Sequence, residues 1–261
     1  MASPSWLTAR PIAHRGYHDR DAGRIENTIP AAEAAIARGF AVECALQLTR
    51  DDVAIVFHDD TLDRLTEATG PVKARTLAEL KAIRLCATEA RIPTLDEFLA
   101  AVAGQVPIFA EFKSSFDRNR RLEQAAAPRL NAYPGPLAVM SFDPDSVLAL
   151  KALAPALPRG MVADSFTDPE WAPIPPLRRL ALRHLAAAPR VKPSFIAFGV
   201  HDLPSDAPLL LRHLGTPLLT WTVRTEADRA TARRYADQII FEGFDPEPVT
   251  GTASAGSDGT R

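Results

Sequence analysis

Short apolar runs rich in β-forming residues alternate with Ala- and Leu-rich stretches along almost the whole chain. That rhythm is the feature that most limits the fold, because strands separated by helices can pair only in parallel. The runs fall at 11–14, 41–48, 53–58, 107–112, 137–141, 159–162, 195–198, 217–221 and 238–241. Between the second and third runs lie only Thr49 to Asp52. A parallel neighbour needs a crossover of about a dozen residues, whereas an antiparallel hairpin needs about two. The third run therefore folds back on the second, and eight strands remain, the number that closes a (β/α)8 barrel. The predicted class is α/β, a TIM barrel with a small hairpin and insertion at about 49–95, after the second strand. The barrel is expected over 1–249, with a disordered Gly/Ser/Thr tail at 250–261.

Helices are predicted at 28–38, 94–102, 119–132, 144–153, 175–187, 207–213 and 225–235. Several carry start signals. Thr94 is followed three residues later by Glu97, Asp143 precedes Pro144, and Thr225 is followed by Glu226 and Asp228 in the first turn. The stretch 61–91 fits the rhythm poorly and reads as an insertion over the barrel mouth.

Charge narrows the function. Thirty Lys and Arg against 32 Asp and Glu give a net charge of −2, without the basic excess that nucleic acid or an anionic membrane surface demands. Neither a signal peptide nor an apolar run of membrane-spanning length is evident. The two cysteines, Cys44 and Cys86, match no zinc spacing and are too few for a disulfide framework. These features point to a soluble, cytoplasmic protein.

Successive side chains on a strand face opposite ways. In 41–48, Val42, Cys44, Leu46 and Leu48 form an apolar face for the helices, which turns Glu43, Ala45 and Gln47 inward. In 107–113 the same rule turns Phe109, Glu111 and Lys113 inward. Buried carboxylates are costly unless paired or metal-bound. Glu43 and Glu111 therefore either join Lys113 and Arg15 in a structural network or share a cation. Hard oxygen ligands suit Mg2+ or Ca2+, and there is no Cys/His cluster for zinc. His14 and His58 end two of the runs and are candidate acid–base groups, whereas His18, His184, His201 and His213 read as incidental.

These residues stand in a recognisable order: His14-Arg15-Gly16, Glu26-Asn27-Thr28, Glu43-Cys44-Ala45 leading to Gln47-Leu48-Thr49, and Val56-Phe57-His58-Asp59 with Thr61-Leu62-Asp63-Arg64. Ile92-Pro93-Thr94-Leu95, Glu111-Phe112-Lys113, Ser141-Phe142 and Trp221-Thr222-Val223 follow. Over about residues 11–245 the chain resembles the glycerophosphodiester phosphodiesterase family. The resemblance implies a barrel that cleaves a glycerophosphodiester to sn-glycerol 3-phosphate and an alcohol with one divalent cation, Mg2+ or Ca2+. It implies His14 and His58 as the acid–base pair, Arg15 and Lys113 as phosphate-binding groups, and Trp221 beside the glycerol. Glu43 and Glu111, with Glu26 in or near the same shell, are the implied metal ligands. The implied partner is a small glycerophosphodiester or a phospholipid head group.

One position departs from that pattern. The family's Glu-x-Asp strand has Ala45 where the aspartate belongs, and Gln47 lies about 6–7 Å further along the same face. Two alternatives stand beside the hydrolase. One is a catalytically inactive barrel that binds phosphodiesters, and the other is a phospholipase-type phosphodiesterase that forms a cyclic phosphate.

Overall fold

A computed structural model of the chain describes residues 3–247, so the tail expected at 250–261 lies outside the described residues. The strands are β1 (Ile12–Ala13), β2 (Ala41–Leu48), β3 (Ala54–Val56), β4 (Ile108–Phe112), β5 (Leu137–Ser141), β6 (Arg159–Ala163), β7 (Phe195–Gly199), β8 (Leu218–Val223) and β9 (Gln238–Phe241). Eight of them form a ring of parallel pairs in the order β1-β2-β4-β5-β6-β7-β8-β9. The ring closes where Ile12 stands in register with Ala41 on one side and Ile240 on the other. This is the expected (β/α)8 barrel. β3 lies outside it, antiparallel to β2 with Leu46 opposite Val56. Because β1 is only two residues long, it leaves the upper edge of β2 unpaired, and the hairpin supplies those hydrogen bonds.

The helices are α1 (Ile29–Ala37), α2 (Leu77–Ala82), α3 (Leu95–Val102), α4 (Arg121–Ala132), α5 (Pro144–Leu153), α6 (Pro176–Arg183), α7 (Ala188–Val191), α8 (Asp206–His213) and α9 (Glu226–Tyr235). The start signals work as the sequence suggests. Thr94 and Glu97, and Thr225 and Asp228, form reciprocal capping boxes, while Asp143 accepts from the Asp145 N–H ahead of Pro144. The helix expected over 175–187 ends early instead, at Arg183. Leu185 adopts φ +51°, which ends α6 and starts a new direction before the short α7.

Strand alternation sorts the side chains as expected. Val42, Cys44, Leu46, Ile108, Ala110 and Phe112 face outward and pack with Ala32, Ala35, Phe98, Leu122 and Leu130 of the helices. Ile12, Ala41, Phe109, Phe195 and Ile240 face inward and fill the lower barrel, where Leu7 and Trp6 of an N-terminal turn join them. The ring of Trp6 meets Phe109 edge-on at 5.8 Å. The insertion has its own apolar cluster, in which Leu62, Leu65, Val72, Leu80 and Leu85 pack with Ile55 and Phe57 of the hairpin. Within it α2 opens on a Thr76–Glu79 capping box.

The floor is filled so tightly that one position admits only glycine. A Cβ on Gly160 would lie 2.2 Å from the Phe195 ring, which is itself fully buried. Gly160→Ala is expected to destabilise the fold by about 1–3 kcal/mol through overpacking. Urea denaturation checks this, and an unchanged midpoint would contradict the packing described.

Candidate active site

Two residues beyond each floor side chain, the inward face turns polar. Ile12 is followed by His14, Ala41 by Glu43, Phe109 by Glu111 and Ile240 by Glu242. The polar layer therefore stands at the C-terminal ends of the strands, where barrel loops assemble chemistry. After β1 the chain turns sharply, with Arg15 at φ 56° and Gly16 at φ 83°. A Cβ on Gly16 would lie 2.8 Å from that of Ala31, so only glycine lets the turn sit against α1. The turn aims the Arg15 N–H at Glu43 Oε2 (2.8 Å) and its guanidinium at Glu26 Oε1 (2.6 Å). Asn27 fixes the neighbouring loop by accepting the Ala45 N–H at 3.1 Å and donating its own N–H to the Arg15 carbonyl at 2.8 Å.

Both histidines are oriented by carboxylates. His14 Nδ1 lies 2.5 Å from Glu242 Oε2, and its Nε2 faces Glu43 Oε2 at 4.0 Å. His58 Nδ1 lies 2.8 Å from Asp59 Oδ1, and its Nε2 lies 2.9 Å from Lys113 Nζ. An ammonium can only donate. His58 Nε2 therefore accepts, and its Nδ1–H donates to Asp59. The carboxylate beside His14 assigns the same tautomer there. Each imidazole thus presents an Nε2 lone pair.

Lys113 Nζ also pairs with Glu111 Oε1 at 3.2 Å, without the alignment of a hydrogen bond, which leaves that buried oxygen with none. A chain of contacts runs from Glu242 through His14, Glu43 and Arg15 to Glu26. Arg64, from the insertion, holds Glu26 with two bonds of 2.8 and 2.7 Å and Asp59 with two of 2.6 and 2.8 Å.

The structure therefore brings His14, Arg15, Glu26, Glu43, His58, Glu111 and Lys113 into one cluster. Trp221 stands apart from it. Its indole N–H donates to the Ala197 carbonyl at 3.2 Å, and its ring meets Phe142 edge-on at 5.4 Å. Phe142 in turn packs on Trp171 and Phe166, so this side of the mouth is an aromatic wall. Gln47 is no substitute for the missing aspartate. Its amide donates to the Phe57 and Asp59 carbonyls at 3.0 and 2.7 Å and thereby pins the hairpin. Glu242 and Arg64 were not singled out from the sequence. The signal for Glu242 is the same period of two that exposes Glu43.

Burial and charge set the protonation states. Burial, with Arg15 adding to it and Glu242 opposing, lowers His14 to about 4. Burial and the Lys113 ammonium lower His58 as well. Burial would raise Glu26, but Arg64 and Arg15 outweigh it and hold the carboxyl low. Glu43 is raised by burial and by the charge of Glu111, while Lys113 and His58 overcome burial and keep Glu111 low. Together the two carboxylates hold one negative charge more readily than two.

As donors for a hard cation, Glu43 and Glu111 suit the chemistry, and the oxygen of Glu111 left without a hydrogen bond is a fitting ligand. They are few, however. Ala45 contributes no oxygen, Glu26 gives both of its own to guanidiniums, and among the described residues no group of three His, Cys, Asp or Glu is placed to hold a metal. Nor, among those residues, is any helix long and apolar enough to cross a membrane.

Comparison with known proteins gives a consistent picture. The model of the Glycerophosphoryl diester phosphodiesterase family matches residues 14–242. A glycerophosphodiester phosphodiesterase of Caldanaerobacter subterraneus is 32% identical, with 91% of this chain and 95% of that protein covered. One of Bacillus subtilis is 27% identical, with 89% and 83% covered. Among solved structures, an Oleispira antarctica phosphodiesterase in complex with its product sn-glycerol-3-phosphate superposes with a TM-score of 0.75 at 21% identity, covering 90% of this chain and 93% of that one.

The depressed His14 has a consequence for stability. Its native pKa lies below that of a free imidazole, so the unfolded state binds the extra proton first as the pH falls. Stability present above about pH 6.5 is lost as pH falls to about 4, by an amount on the order of 3 kcal/mol. Thermal melts across that window are expected to fall less steeply for His14→Gln than for the native chain. Parallel curves would show that His14 is not buried neutral.

Proposed function

The chain belongs to the glycerophosphoryl diester phosphodiesterase family, and we propose that it hydrolyses a glycerophosphodiester to sn-glycerol 3-phosphate and an alcohol. The observation that carries this reading is the pair of imidazoles. Each is fixed through Nδ1 by a carboxylate and presents Nε2 to one cluster that also holds Arg15 and Lys113. A phosphodiester is an anion, and attack on phosphorus is slow until that charge is offset. Arg15 and Lys113 are the groups suited to hold its oxygens, the first as a planar fork and the second as a compact charge. Lys113 exchanges His58 Nε2 for a phosphoryl oxygen, which frees that lone pair. One imidazole then takes the proton of the attacking water at Nε2, and the other, which takes up a solvent proton at Nε2 once the anionic diester is bound, gives that proton to the departing alcohol oxygen. Glu242 and Asp59 hold the two rings in the required tautomer.

Glu43 and Glu111 are the residues to hold a divalent cation, Mg2+ or Ca2+. When bound, that ion neutralises phosphoryl charge. Glu26 serves this reading by fixing Arg15 and Arg64 rather than by ligation. The aromatic wall of Trp221, Phe142 and Trp171 suits the carbon skeleton of the substrate. The proposed partner is a small glycerophosphodiester or phospholipid head group, and the proposed compartment, the cytoplasm, rests on the low cysteine count.

Ala45 favours one second reading, a barrel that binds the phosphodiester without cleaving it. Release of glycerol 3-phosphate from glycerophosphocholine and glycerophosphoethanolamine, at saturating Mg2+ or Ca2+, decides between them. His14→Ala and His58→Ala are each expected to lower kcat about 10²–10⁴-fold, and Ala45→Asp to raise it. Calorimetric binding of the same diesters, with turnover in neither the native chain nor Ala45→Asp, would establish the binder. Phosphorus NMR of the product separates an open phosphomonoester from a cyclic phosphate, and a cyclic product would move the chain to phospholipase-type chemistry.

A further inference from the structure

We infer that this chain takes up its divalent cation only together with a phosphorylated ligand, so that the cation enters as part of a metal–phosphate complex and is not resident in the free protein. The inference rests on the reading of the cluster as a phosphodiester site, and it follows from counting oxygens.

A hard divalent cation is surrounded by six or more of them, waters included, and a protein retains it through the carboxylate oxygens it can commit. Ala45 stands in register beside Glu111, is fully buried and has no donor to offer. Glu26 spends its carboxylate on Arg15 and Arg64. Asp59 spends its own on His58 and Arg64, and Glu242 on His14 and Arg224. Glu43 and Glu111 are left, and one oxygen of Glu43 already accepts the Arg15 N–H.

Two positive groups compete for the same place. Lys113 Nζ sits 3.2 Å from Glu111 Oε1, and the Arg15 backbone N–H bonds Glu43 while its guanidinium, held by Glu26, adds positive charge nearby. In the free protein these groups neutralise the carboxylates that a cation would use. A phosphate ester changes both sides of the balance. Its non-bridging oxygens draw Lys113 and Arg15 toward themselves, and the same oxygens complete a cation's shell. Mg2+ is commonly held in this way, by one or two carboxylates with substrate phosphate. Cation and phosphate therefore bind cooperatively, and the coupling is reciprocal.

Calorimetric titration of the native chain with Ca2+ and with Mg2+ tests this, with and without saturating glycerol 3-phosphate as the probe. Without the probe, no saturable uptake is expected below millimolar cation. With it, the cation affinity is expected to rise at least tenfold, and the affinity for glycerol 3-phosphate to rise by the same factor when cation is present. Ala45→Asp is expected to bind cation without the probe and to show weaker coupling. Equal cation affinity with and without glycerol 3-phosphate in the native chain overturns the inference, whatever the variant does. Hydrolysis that persists undiminished in EDTA also overturns it while leaving the hydrolase reading intact. Absence of both glycerol 3-phosphate binding and hydrolysis removes the hydrolase reading, and this inference with it.

Discussion

Two buried glutamates on adjacent staves of the barrel, Glu43 and Glu111, face the same charged cluster. Their mutual repulsion is the constraint around which the site is built. Neither can be charged there without a cation close by, and the chain supplies two from opposite directions. Arg15 comes from the turn after β1, and Lys113 comes from just beyond the end of β4. The second tier of ion pairs, from Glu26 through Arg64, fixes Asp59, which orients His58, while Arg224 holds Glu242, which orients His14. The rigidity of the cluster comes less from any single bond than from the fact that nearly every charged group in it has two partners. Removing one partner from such a network leaves another group buried and unpaired, which costs more than the lost bond alone.

The barrel makes this concentration of charge tolerable. Inward positions alternate along β2 and β4, so an apolar floor and a polar layer there differ by a single step of two residues; β8 departs from this where its register shifts between Thr220 and Val223. Phe109 and Glu111 share a face of β4 and serve opposite purposes. The floor leaves no room beside Gly160, and that packing sets where the layer above it stands.

Much of this was readable from the chain alone, for identifiable reasons. Strand spans such as 41–48, 137–141 and 238–241 coincide with the structure because strands of a buried parallel sheet read as short, largely apolar runs set between helical stretches. The hairpin was legible because four residues cannot cross over a sheet. Other features escaped. α2 carries the Thr76–Glu79 capping signature, but it lies in a stretch with no βα rhythm to prompt the reading. The break at Leu185 depends on a left-handed backbone conformation that a leucine does not advertise. Glu26 looked like a cation ligand because its motif neighbours do the chemistry. Its guanidinium partners are Arg15, 11 residues away, and Arg64, 38 residues away. A contact of the second kind depends on the folded insertion, which no local pattern reveals.

Trp6 and Leu7 cork the lower end of the barrel. With the lower end sealed, ligands reach the polar layer only from the face at the C-terminal ends of the strands.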